Sequence, residues 1–142
     1  MKYVILVSHG TFAHGLKSAV LMMSGQRDDI LSTSLEEGMG TNDFAENFAK
    51  LVEPITHNDE ILLFSDILSG SPFTTSIEVL NQKNLFDKTT VFAGMNMPMV
   101  LTAVLMKDNL EKPDLIEATL SEGKLGVTLF EISAVNFEEE EL

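Results

Sequence analysis

A doubly wound α/β fold, with a mainly parallel sheet in the order 2-1-3-4, is predicted by three features of this 142-residue chain. Four short apolar runs alternate with segments whose apolar residues recur at helical spacing. Gly, Ser and Pro gather in the loops that follow the runs. The first run, Tyr3-Val4-Ile5-Leu6-Val7, is apolar without a break and rich in β-branched residues, as a strand covered on both faces must be. Strands that alternate with helices of this length run parallel, because each helix carries the chain back to the same end of the sheet.

The first run ends at Ser8-His9-Gly10, after which Phe12, Leu16, Ala19, Val20 and Met23 mark a helix that Gly25 stops. The second unit has a strand at Ile30 to Leu35 and a loop at Gly38 and Gly40. Thr41 then suits the cap of a helix whose apolar face is Phe44, Phe48, Leu51 and Val52, closed by Pro54. A third strand, Ile61 to Phe64, runs into Ser65-Asp66-Ile67-Leu68-Ser69-Gly70-Ser71-Pro72. Pro72 fits the first turn of a helix carrying Phe73, Ile77 and Leu80, since its missing N–H costs nothing there. The fourth strand, Thr90 to Ala93, meets Gly94-Met95-Asn96-Met97-Pro98 and a helix with Met97, Val100, Leu101, Val104 and Leu105 facing inward. Pro113 to Lys124 reads as a further helix and Leu129 to Val135 as a last strand. The charge run Glu138 to Glu141 is expected to be a solvated tail. With no internal repeat and no linker, residues 1–142 read as a single domain, with the acidic tail from about residue 137.

Composition narrows the function classes. A 44% hydrophobic content fills one core. The absence of cysteine excludes disulfides, thiolate nucleophiles and zinc sites built on sulfur. A net charge of -13, with nine scattered Lys and Arg, argues against nucleic acid as a partner. The apolar stretch Met97 to Met106 is broken by Pro98 and Thr102 and falls short of the ~20 residues that span a bilayer, so no direct membrane insertion is expected. The opening residues lack the pattern of a signal peptide, and a cytoplasmic protein is expected.

In an open α/β sheet, ligands bind beyond the carboxyl ends of the strands where the strand order reverses. In the order 2-1-3-4 that point lies between the first and third strands, so His9 and Asp66 come together. A neutral imidazole with a free lone pair is a nucleophile at neutral pH, histidine's ordinary pKa being about 6.5. A carboxylate on its other nitrogen fixes the tautomer and stabilises the charge that develops during attack. The helix start at Pro72 offers N–H groups and the Ser71 hydroxyl to an anion, and Gly70 lets that backbone come close. Each residue also has a commoner structural role, Asp66 as a turn former and Ser71 as a cap; their convergence at one switch point is what favours chemistry. His14, on the first helix, and His57, in a polar loop, read as surface residues, and the methionines as core filler.

At these residues the chain resembles the enzyme IIA domains of the mannose family of the bacterial sugar phosphotransferase system, over nearly its whole length. The likeness rests on Ile5-Leu6-Val7-Ser8-His9-Gly10, on Asp66-Ile67-Leu68-Ser69-Gly70-Ser71-Pro72-Phe73 and on Ala93-Gly94-Met95-Asn96-Met97-Pro98-Met99. It implies that His9 receives a phosphoryl group from the phosphocarrier HPr and gives it to a IIB component, which serves sugar uptake with a membrane complex. By the same likeness Asp66 holds the histidine ring, Gly70, Ser71 and Phe73 lie around the phosphate, and neither a cofactor nor a metal takes part. The last strand would be exchanged across a homodimer, and the chain would act as a separate IIA subunit. One departure is visible: the family often has a second glycine where this chain has Ser69.

Other classes share parts of the pattern. A chelatase of the sirohydrochlorin type also carries His-Gly after its first strand, and would use His9 as a base with further His and acidic residues in the same cleft. A histidine phosphatase would need Arg where this chain has Ser8. A non-catalytic regulatory module on the same fold is the third alternative.

Overall fold

Val4, Ile5, Leu6 and Val7 are wholly buried, and the strand that holds them, β1 (Lys2–His9), lies inside a four-stranded sheet. The computed structural model describes residues 1–132. After β1 come α1 (Phe12–Ser24), β2 (Ile30–Leu35), α2 (Thr41–Leu51), β3 (Glu60–Ser65) and α3 (Ser71–Gln82). A short 3-10 turn, Phe86–Lys88, leads to β4 (Thr89–Ala93), α4 (Met97–Met106) and α5 (Lys112–Leu125). The order is β2-β1-β3-β4 and every pairing is parallel, so the fold is the α/β class its alternating sequence predicts.

Because successive side chains of a strand face opposite ways, β1 feeds two cores. Val4 and Leu6 point to one side with Leu62 and Phe64, and meet α1, α4 and α5 through Leu16, Val20, Val100, Val104 and Leu115. Ile5 and Val7 point to the other with Ile61 and Leu63, and meet α2 and α3 through Phe44, Phe48, Val79 and Leu80. Phe64 stacks on Phe92 with centroids 4.7 Å apart, tying β3 to β4.

Three expectations are corrected in detail. The inner face of α1 is Ala13, Leu16 and Val20, while Phe12 and Met23 are exposed. The Ser8 hydroxyl accepts the Ala13 N–H at 2.7 Å, which pins that residue against the sheet and fixes the rotation of the helix. In α4 the Asn96 side chain accepts the Met99 N–H at 3.1 Å, and this cap turns Met99, Val100, Ala103 and Val104 inward and leaves Leu105 exposed. The cap of α2 is Gly40 rather than Thr41: the Asp43 carboxylate reaches back to accept the Gly40 N–H at 3.0 Å, so Thr41 becomes the first helical residue. Leu129 to Ile132, the described part of the segment expected as a last strand exchanged across a dimer, pair with none of the four strands of the single chain. Ser133 to Val135 and the acidic run Glu138 to Glu141 lie outside the described residues. Among the described residues, no helix is long and apolar enough to cross a membrane.

The amino end of the sheet is braced by charge. Lys107 is 1% exposed, and its ammonium donates to Asp29 at 2.7 Å and to Asp108 at 3.3 Å. Arg27 grips Asp29 with two further bonds of 2.9 Å. The Arg27 guanidinium, with help from Lys107 and against the opposing effect of burial, holds the Asp29 carboxyl far below the usual carboxylate range. Asp29→Asn is expected to cost about 2 kcal/mol, less than the ~3–5 kcal/mol of a fully orphaned buried charge because Asp108 remains. Since the folded pKa is depressed, this stabilisation is full above the unfolded value of about 3.9 and is lost as pH falls toward the folded one. Urea unfolding of both proteins at neutral and acidic pH checks this: the gap between them should close in acid.

Candidate functional site

β1 and β3 are neighbours in register, Val7 beside Ser65, so the next residues of each chain segment, Ser8-His9 and Asp66, emerge together at the carboxyl edge. Asp66 Oδ2 lies 2.8 Å from His9 Nδ1 and also accepts the His9 backbone N–H at 2.9 Å. One carboxylate oxygen thus fixes both the main chain and the ring of the histidine. The other, Oδ1, accepts the Ile67 N–H at 2.9 Å and lies 3.2 Å from the Ser65 hydroxyl.

Burial pushes the Asp66 carboxyl up. The backbone and ring hydrogen bonds from His9, together with the Ile67 N–H, outweigh it and leave the pKa below the ordinary value. The carboxylate is therefore ionised at neutral pH and has only lone pairs to offer, so Nδ1 must carry the ring proton. In the neutral ring the lone pair then sits on Nε2, in a side chain that is 47% exposed. The arrangement presents a nucleophilic nitrogen of fixed tautomer to the solvent edge of the sheet.

The loop from Ile67 to Gly70 passes beneath the ring. A Cβ on Gly70 would stand 2.9 Å from His9 Cε1 and 3.2 Å from the Ile67 side chain, so any larger residue there has to displace the ring. Ser69 adopts a φ of 67°, the left-handed conformation that glycine takes freely. The loop therefore keeps the turn although the family's second glycine is absent. Gly70 then caps α3 without a side chain and Pro72 has no N–H, so no cap side chain takes the N–H groups of the first turn. The Ser71 and Phe73 N–H groups of that turn stand where the helix dipole favours an anion. Gly70→Ala is expected to push the ring off Asp66 and weaken that bond by about 1 kcal/mol, slowing chemistry at His9 about fivefold with the fold intact. Histidine ring NMR and a transfer rate on the same sample check it.

The other histidines lie elsewhere. His14 is exposed on α1, its Nδ1 2.8 Å from the Ser32 hydroxyl, and His57 lies before β3 at the far end of the sheet, 2.9 Å from Asp87. The second His that a chelatase cleft requires is thus at the opposite edge from His9. Among the described residues, no three His, Asp or Glu side chains stand together as metal ligands would. The sequence reading missed two residues, Ser8 and Ser65, both 0% exposed. The signal was present: each is a lone hydroxyl between an apolar run and one member of the His9–Asp66 pair, in Val7-Ser8-His9 and Phe64-Ser65-Asp66. A small polar residue at the end of a buried strand has to bond to something local.

A doubly wound domain with a histidine–carboxylate pair at its switch point defines a class of α/β proteins. The sequence matches the family described as the PTS system fructose IIA component (EIIA-man) over residues 3–120, and the chain belongs to that family. It is 25% identical over 113 residues to the PTS system fructose-specific EIIA component of Bacillus subtilis (strain 168), covering 80% of this chain and 75% of that protein. It is 27% identical over 113 residues to the PTS system sorbose-specific EIIA component of Lacticaseibacillus casei, covering 80% and 79% of the two. The crystal structure of the phosphotransferase system component EIIA from Streptococcus agalactiae superposes with a TM-score of 0.77 at 26% identity, over 98% of this chain and 99% of that one. The chain is accordingly a IIA component of the mannose, fructose and sorbose branch of the sugar phosphotransferase system, with a role in phosphotransfer.

Proposed function

We propose that His9 Nε2 accepts the phosphoryl group of phosphorylated HPr and passes it to a IIB component. The observation that carries this reading is the bond from His9 Nδ1 to Asp66 Oδ2 at 2.8 Å, which leaves Nε2 as the free nucleophilic nitrogen. In the transfer, a P–N bond forms at Nε2 as the bond from phosphorus to the donor atom breaks, and the electron pair returns to the donor. The Nδ1 proton stays on the ring, which becomes cationic and is balanced by Asp66. The Ser71 and Phe73 N–H groups, the Ser71 hydroxyl and the start of α3 stabilise the negative oxygens in flight, with Gly70 holding that backbone close. Transfer to the IIB component reverses the same steps, so the pair need only keep the two states near balance. Incubation with phosphoenolpyruvate, enzyme I and HPr tests the reading: the mass should rise by one acid-labile phosphoryl group, and a chain that stays unlabelled beside a labelled HPr overturns it.

The working form in this reading is a cytoplasmic homodimer. Val127, Leu129, Phe130 and Ile132 form an apolar segment that is 57–80% exposed in the single chain, and a second copy would cover it. Light scattering at micromolar concentration should return twice the chain mass of 15.6 kDa. A single-chain mass would remove the dimer.

A further inference from the structure

A carboxylate turns easily about its last bond, because a terminal torsion between tetrahedral and planar carbon is broad and roughly two-fold. What fixes the plane of Asp66 is therefore its set of hydrogen bonds. Among the described residues, Oδ2 is held by His9 alone, through ring and backbone. Oδ1 has the Ile67 N–H at 2.9 Å and one further partner, the hydroxyl of Ser65 at 3.2 Å. The same hydroxyl lies 3.0 Å from the Ile67 carbonyl oxygen. Ser65 is 0% exposed at the end of β3, where its own carbonyl is taken by the Met95 N–H at 3.0 Å.

We propose that Ser65 is a positioning residue for phosphoryl transfer: its buried hydroxyl bridges the Asp66 carboxylate and the Ile67 carbonyl, and so orients the carboxylate toward His9 while anchoring the loop that carries Gly70. The proposal rests on the phosphocarrier reading of His9. The physical case is one of geometry. Ser65 belongs to the rigid sheet, whereas Ile67 belongs to the loop, so the bridge transmits the position of the strand to both the carboxylate and the loop. A hydroxyl has one hydrogen, so the bridge is a three-centre bond that shares it between the carboxylate oxygen at 3.2 Å and the carbonyl oxygen at 3.0 Å. Without it, Oδ1 keeps only a loop N–H, the Ile67 carbonyl loses its tie to the sheet, and the carboxylate plane and the loop beneath the ring can rotate together.

Thr and Val have nearly the same shape and differ in the hydroxyl, so the pair Ser65→Thr and Ser65→Val separates the hydrogen bond from the packing. Both variants carry the same added bulk, and their thermal midpoints report that bulk. Single-turnover transfer from phosphorylated HPr is expected to stay within about twofold of wild type in Ser65→Thr and to fall at least about fivefold below it in Ser65→Val. Ring nitrogen NMR of unphosphorylated, 15N-labelled protein at about pH 8, where imidazole is neutral, should show the Nδ1–H form dominant in wild type and Ser65→Thr and reduced in Ser65→Val. Equal rates and equal His9 spectra in the two variants would overturn the proposal. Should the site refuse the added bulk, Ser65→Ala against wild type decides by the same spectrum, an unchanged Nδ1–H fraction being the adverse result. The spectra need no phosphoryl donor, so a wild type that takes up no phosphate sinks the phosphocarrier reading while the role of Ser65 is still read from the ring.

Discussion

Replacing His9 with alanine is expected to abolish phosphoryl uptake altogether, while the protein stays folded. The chemistry would lose its attacking atom, and among the described residues no second histidine stands in reach: the His14 ring lies on α1 against Ser32, and the His57 ring lies at the opposite end of the sheet against Asp87. The fold should survive for two reasons. The ring is half-exposed and contributes little apolar burial. The His9 backbone N–H still occupies Asp66 Oδ2, so the carboxylate is not left bare when the ring is removed. The measurement is the mass of the protein after incubation with the complete donor chain, beside His14→Ala and His57→Ala as controls that should label fully. Labelling that persisted in His9→Ala and vanished in either control would move the site.

Asp66→Asn is expected to slow transfer by about one to two decades, with HPr affinity nearly unchanged. The figure follows from a hydrogen bond to a charged group, worth about 1.5–3 kcal/mol, expressed mostly in the transition state. The geometry sharpens the case. All four groups around the carboxylate, the His9 N–H, the His9 ring, the Ile67 N–H and the Ser65 hydroxyl, approach it as donors or stand where donors would. An amide has one accepting end, so whichever way asparagine turns, its NH2 faces a donor. If that end faces the ring, Nδ1 must accept, the proton moves to Nε2, and the nucleophile is blocked. The same carboxylate predicts how stability changes in acid. Its folded pKa is below the ordinary value, so the stabilisation its bonds supply is full above the unfolded value of about 3.9 and is lost as pH falls through the folded one. Single-turnover rates from phosphorylated HPr, at matched salt and pH, decide between the variants. An unchanged rate would reduce Asp66 to a turn residue, and a lost affinity with normal turnover would assign it to the partner interface.

The layers of this fold were legible because each apolar run has the length and composition of a buried strand and each helix carries its own phase. Tyr3-Val4-Ile5-Leu6-Val7 cannot be half-exposed, which makes it central, and a central first strand with βαβ connections implies the order found. The rotations of the helices were less legible. Phe12 and Leu105 look like core residues by size, yet they are exposed while Ala13 and Ala103 are buried, because side-chain caps from Ser8 and Asn96 set the phase and a helix packed tightly on a sheet favours small residues at contact. Hydrophobicity orders residues by what they gain from burial, and caps decide which of them receive it. His9 and Asp66 could be brought together from topology alone. Ser65 showed only as a strand-end hydroxyl that must bond locally, since topology does not say which of its near neighbours the hydroxyl meets.

The pairing of β1 with β3 has a consequence for the order in which the molecule comes into being. His9 and Asp66 are 57 residues apart, and the crossover between them contains a complete strand with a helix on either side. The intervening chain must be laid down, and the long loop closed, before the ring acquires its carboxylate. Contacts so distant along the chain form late, because the entropy of closure is spent before they are made. A nascent or partly unfolded chain therefore displays a histidine like any in a peptide, with neither the fixed tautomer nor the anion-favouring helix end. The His9–Asp66 pair is a property of the closed sheet, and the rate at which it appears during refolding reports the docking of the two central strands.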